Sequence, residues 1–187
     1  MKRLLKLKNG QFFLTLVGLP FLLIIIGGSL AKITNEKAFL SILPMMSGLI
    51  MMFTYFGWIW SIGVLLPKEF FPNEKKISST FKLVFRLALL LFITIPILDF
   101  YHMDSSRLII KTLRFISLIL FLYSIYLTTV RLKDIERLKW NQINNQFGDF
   151  FLIWILPIGI WFIQPRINRL ISEDKEESRV GKGEFHP

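Results

Sequence analysis

Residues able to do chemistry are few in this chain, and they gather in one place. Asp99, His102 and Asp104 form a D-x-x-H-x-D sequence, with Arg107, Lys111 and Arg114 soon after. A converging imidazole and carboxylates are the raw material of a metal site or an acid–base pair. No distant segment supplies the further ligands a closed metal site needs. The spacing therefore reads as a solvated turn whose acids balance a basic stretch. The 187 residues include no cysteine and 2 histidines. That excludes thiol nucleophiles, cysteine-bound zinc, iron–sulfur clusters and disulfides. There is no phosphate-binding loop, no HExxH and no nucleophile elbow. The expectation is a protein that is not an enzyme, with no cofactor, no metal and no catalytic residue.

The elements that must position these residues are apolar blocks. Hydrophobic residues make up 53% of the chain and charged residues 19%. A soluble domain carries about 45–50% and about 25%. The bilayer core is about 30 Å thick, so a spanning helix needs about 20 apolar residues. Phe12 to Ala31 qualifies, and lipid tolerates its Pro20 and its Gly27–Gly28 pair. Its basic head and its Ser29-Leu30-Ala31 fit a signal peptide, but the block exceeds the usual h-region of about 7–15 residues. Phe39 to Leu66 holds a second span, with a late start after Pro44 as one way to shorten it. The third runs from Leu83 to Leu98 and the fourth from Leu108 to Val130. All 13 carboxylates lie in connectors, in the tail or at span ends. Ion-coupled transporters place acids within their spans.

Arg131 to Gln146 is polar, with Leu132, Ile135, Leu138 and Ile143 on one side of a helical wheel. This spacing predicts a short surface-lying helix, with Asp134–Arg137 and Glu136–Lys139 as i,i+3 pairs. The last apolar block, Phe150 to Ile163, is about 14 residues, or about 21 Å of helix. That is short for a crossing, and Pro157 at its middle should bend it. It reads as re-entrant or interfacial, with a fifth span as the alternative. Residues 1–171 are expected to form one membrane-embedded helical domain, and 172–187 a disordered charged tail. The fold class is an all-α integral membrane protein with four transmembrane helices plus this short segment.

The net charge is +10. With the amino terminus inside and four spans, 18 of the 23 basic residues lie inside and 5 outside. The positive-inside rule favours that arrangement. A fifth crossing would make the split 13 to 10. The basic residues flank apolar blocks, so the expected partner is the lipid bilayer and not nucleic acid.

Gly57 and Ser61, four apart with Gly63 nearby, form a small-residue face where helices approach closely. Such a face serves packing within the chain or a homodimer. Trp58 and Trp60, and Trp154 and Trp161, suit interface anchoring. Trp154 and Trp161, seven apart, should share one helix face.

Two stretches, Tyr55 to Gly63 (YFGWIWSIG) and Phe147-Gly148-Asp149 through Trp154 to Asn168 (ending WILPIGIWFIQPRIN), resemble a group of small bacterial integral membrane proteins of unknown function. The resemblance covers about a sixth of the chain and implies a bacterial inner membrane and no activity. Arg131 to Ile135 also resembles an RLHDIG-like turn of another uncharacterised inner-membrane family, with Lys133 in place of its histidine and Glu136 in place of its glycine. The expected role is a small non-catalytic membrane protein that packs with itself or with a larger membrane partner. The alternative is a component of a transporter or channel for a small solute.

Overall fold

The computed structural model describes residues 2–5, 7–36, 38–66, 75–101, 107–140 and 146–180. Among these the regular structure is all helical, without strands. We label the helices α1 (Lys2–Leu5), α2 (Asn9–Thr34), α3 (Ala38–Leu65), α4 (Lys75–Tyr101), α5 (Arg107–Trp140), α6 (Gln146–Trp154) and α7 (Leu156–Val180). Four of them, α2 to α5, are long and apolar enough to cross a membrane. The chain is a multi-pass membrane protein. Its contacts divide it into two units, residues 1–61 with 151–187, and residues 62–150. This is a finer division than the single domain expected over 1–171.

In the first unit α2 and α3 form a hairpin. Asn35 closes α2 in the left-handed conformation (φ 57°). Asparagine tolerates that conformation better than most residues do. Close approach is set at Gly27, where a β-carbon would lie 3.0 Å from the Phe39 carbonyl oxygen and 3.1 Å from Leu43 Cβ. Ser47 donates to the Pro20 carbonyl (2.9 Å), a buried polar tie between the two spans. Helix α3 runs through Pro44 without a break, so the span starts at Ala38 and not after the proline. Lipid-embedded helices accept such a proline where neighbours make good the lost bond.

In the second unit α4 and α5 form a second hairpin. Phe81, Phe85 and Ala88 are buried on α4, and Ile110, Ser117, Ser124, Ile125 and Thr128 on α5. Their spacing near three, four and seven is the stripe of a packed helix face. Ser124, Thr128 and Thr129 each donate to the carbonyl four residues back, so no hydroxyl is wasted in an apolar setting.

Three sequence expectations change here. Arg131–Trp140 is no separate surface helix, because α5 continues through it as one 34-residue helix. Leu132 and Ile135 are buried, but Leu138 is 67% exposed; Ile143 lies outside the described residues. The break in the last block falls at Ile155, ahead of Pro157, with α6 and α7 bent by 115°. Pro157 sits in the first turn of α7, where its missing N–H has no helical partner to lose. Trp154 and Trp161 therefore lie on different helices. Beyond the membrane block α7 continues to Val180 where disorder was expected, helped by an Arg169–Glu173 pair at 2.7 Å. Residues 181–187 lie outside the described residues.

Candidate functional site

Two buried polar centres stand out, one in each unit. The first ties down the amino terminus. Helix α1 has only 4 residues, so its carbonyls need outside donors. Gln164 of α7, fully buried, supplies them. Its Nε2 donates to the carbonyls of Leu7 (3.0 Å), Leu5 (3.1 Å) and Leu4 (3.3 Å). Asn168, one turn on, donates to the Leu7 carbonyl at 3.1 Å. The other end of the amide is used too: the Trp58 indole N–H donates to Gln164 Oε1 at 2.9 Å. Trp58 is fully buried and packs on Phe12, ring centroids 5.5 Å apart. One amide side chain thus links α1, α3 and α7.

Gly57 belongs to this centre. A β-carbon there would lie 3.2 Å from Leu4 Cδ1. Ser61 Oγ donates to the Gly57 carbonyl at 2.6 Å and is fully buried. Gly57 therefore makes room for α1. Replacing it tests this. Gly57→Ala should be nearly neutral, because the flexible end of Leu4 moves aside. Gly57→Leu should displace α1 and lower stability by about 1–3 kcal/mol. Thermal unfolding in detergent reads the difference.

Gln164→Leu should strand the Trp58 N–H and release α1, with a loss of about 2 kcal/mol. Amide exchange over residues 2–8 should rise sharply while exchange in α5 stays unchanged. Unaltered exchange at the amino terminus would refute the clamp.

The second centre is ionic. Lys133 Nζ lies 2.6 Å from Asp149 Oδ2 and 3.2 Å from Glu136 Oε2. All three residues are buried. One turn of α5 and the start of α6 thereby meet through one ammonium. Buried charges hold only when paired and hydrogen-bonded, and this cluster pairs them. Nearby, Arg131 Nη1 donates to the Gly63 carbonyl at 2.7 Å, with its guanidinium carbon 5.9 Å from the Phe81 ring centroid. Gly63 lies in a wider π turn, Ser61–Leu65, which shifts the helical ladder and offers a carbonyl to an outside donor. A β-carbon at Gly63 would collide with the Phe81 ring, so glycine lets the ring and the carbonyl share the spot.

Gly57, Ser61 and Gly63 are all buried. Of the expected D-x-x-H-x-D cluster, Asp99 falls in the last turn of α4, and His102 and Asp104 lie outside the described residues. No group of three or more His, Cys, Asp or Glu that could hold a metal occurs among the described residues.

Sequence reasoning missed Gln164 and the Lys133–Asp149 pair. Gln164 was legible as a lone amide closing an apolar block, facing a tryptophan N–H that must find an acceptor when buried. Lys133 and Asp149 gave less signal, since their partnership depends on the turn between α5 and α6. When compared with known proteins, the chain matches no protein-family model, no curated sequence and no solved structure.

Proposed function

We propose that this is a small, non-catalytic integral membrane protein that packs with itself or with a larger membrane partner. The observation that carries the reading is the outward face of α3. Only 11% of its apolar window is buried within the chain. Met45, Met46, Leu49 and Phe53 are exposed on it, and Gly48 has open space where a β-carbon would be. Lipid or a second membrane chain must cover such a face. The polar side chains that chemistry would need, Gln164, Lys133, Glu136 and Asp149, already hold the chain's own helices. Mass measurement of the intact protein extracted with its native lipids tests the reading. A homo-oligomer or a stoichiometric membrane partner is expected. A lone 22.0 kDa chain would contradict it.

The same reading places the protein in a bacterial inner membrane with its amino terminus in the cytoplasm, as the 18-to-5 charge split favours. It treats α6 and α7 as a re-entrant hairpin. Leu7, just before the first span, accepts from Gln164 and Asn168, which follow the bend. After four crossings the chain is back on the face where it began. A fifth would leave Leu7 and Asn168 on opposite faces, about 30 Å apart, yet they are hydrogen-bonded.

A further inference from the structure

The bend between α6 and α7 falls in a sequence that could have run straight. Phe147–Trp154 and Ile158–Glu173 together are long and apolar enough to cross a membrane as one span. A straight helix would keep its ladder of main-chain bonds except at one place. Proline has no N–H, so Pro157 offers nothing to the Ile153 carbonyl four residues back. In the bent form the first turn of α7 asks no N–H of Pro157. The Ile153 carbonyl still needs a donor, because Ile153 is fully buried and a buried carbonyl left without a partner is costly.

Helix α3 supplies that donor. The Tyr55 hydroxyl donates to the Ile153 carbonyl at 3.2 Å. Trp58, three residues on and so on the same face of α3, donates to Gln164 Oε1 at 2.9 Å. Ile153 precedes the break at Ile155, and Gln164 lies beyond it in α7. One turn of α3 thus holds the chain on both sides of the bend. The main-chain bonds at the break do not do this. Ile155 N–H donates to the Phe151 carbonyl (2.7 Å), and Gly159 N–H to the Ile155 carbonyl (3.0 Å). Each ties one arm to the joint, and neither ties arm to arm. Gly159 lets the arms come together without holding them there.

We infer that Tyr55 and Trp58 form a clasp that selects the bent form over the straight one, Tyr55 by replacing the hydrogen bond that Pro157 withholds and Trp58 by anchoring α7 through Gln164. Tyr55 is a positioning residue for the hairpin. The joint has two forms, and the bonds from α3 are made in the bent one, so they shift the population toward it. A displacement of α3 that breaks both bonds frees the joint. The clasp concerns the angle of the joint, so it stands whichever face of the membrane the tail occupies.

The test is a distance measured by pulsed electron paramagnetic resonance on the full chain in detergent. Spin labels go on Phe151→Cys and Ser172→Cys, both exposed positions. A straight helix would separate the two backbone sites by about 32 Å at 1.5 Å per residue. The 115° bend makes arms of about 6 Å and about 26 Å, and brings the sites to about 24 Å. Wild type should show the short distance alone. Tyr55→Phe keeps the ring and removes only the hydroxyl, and Trp58→Phe removes the indole N–H. Each should move the equilibrium toward the long distance by about fivefold, as the loss of one net hydrogen bond does. Together they should give a second population near the long distance. Pro157→Ala returns an N–H to the straight form and should enlarge that population further in the Tyr55→Phe background. Gly159→Ala, which disfavours the bent form sterically, is the control that the method sees straightening. A single short distance in every clasp variant, with lengthening in Gly159→Ala, would overturn the proposal, because the bend would then hold without α3. Equal effects of Pro157→Ala with and without the Tyr55 hydroxyl would overturn the role given to Tyr55. Melting temperatures within a few degrees of wild type show that a variant keeps its fold. If Trp58→Phe fails that check, Tyr55→Phe with Pro157→Ala decides.

Discussion

Asp149→Leu should destabilise the protein by about 3–5 kcal/mol, because it leaves the Lys133 ammonium buried beside one remaining carboxylate. Lys133→Met should do as much or more, since it leaves Asp149 and Glu136 without their shared cation. The double variant, Lys133→Met with Asp149→Leu, should be less destabilised than the sum of the two single variants. Removing this pair avoids the desolvation of both its members, while the buried Glu136 still loses its contact with Lys133, so the recovery should be partial. Thermal unfolding of the four proteins in one detergent gives the coupling directly. Additive losses would mean that the two residues do not act as a pair. A conservative Asp149→Glu change should be costly as well, because a pair at 2.6 Å leaves no length for another methylene.

Gly159→Ala should be the most damaging single-methyl change in the chain. The bend between α6 and α7 sets the Gly159 backbone directly against the Leu152 carbonyl, and a β-carbon would overlap that oxygen. Both partners are main chain, so neither can rotate away as a side chain would. Overpacking of side chains costs about 1–3 kcal/mol. Here the hairpin itself must open, and the loss should reach or exceed the upper end of that range. Gly148→Ala is the matched control. Nothing lies within 4 Å of a β-carbon at Gly148, so alanine should be neutral there or slightly stabilising through its better helix propensity. Equal melting temperatures for the two variants would remove the tight turn from the account.

What the sequence made legible follows from length. Spans declare themselves by apolar runs of about 20 residues, uncharged in α2 and α3 and carrying basic residues near one end in α4 and α5. Three things were not legible, each because a distant partner decides it. Arg131 to Gln146 reads as a surface helix because charge normally means water. Its Lys133 and Glu136 instead find Asp149 and each other, and α5 simply continues. The bend in the last block was assigned to Pro157 because proline breaks helices. At the first turn of a helix proline does no harm, and Gly159 is the residue the bend requires. The small residues of α3 suggested helix against helix. Gly57 in fact accommodates the Leu4 side chain of a four-residue amino-terminal helix, and no periodicity shows that such a helix packs there.

Single-cysteine labelling in sealed vesicles of known orientation tests the central claim, four crossings followed by a re-entrant hairpin, most directly. The chain has no cysteine, so no background must be removed. Lys8→Cys precedes the first span, Lys32→Cys ends it, and Lys182→Cys lies in the tail. A membrane-impermeant maleimide should reach residues 8 and 182 from the cytoplasmic face alone, and residue 32 from the opposite face alone. Labelling of residue 182 from the same face as residue 32 would mean that α6 and α7 together cross the membrane, and the account would be wrong.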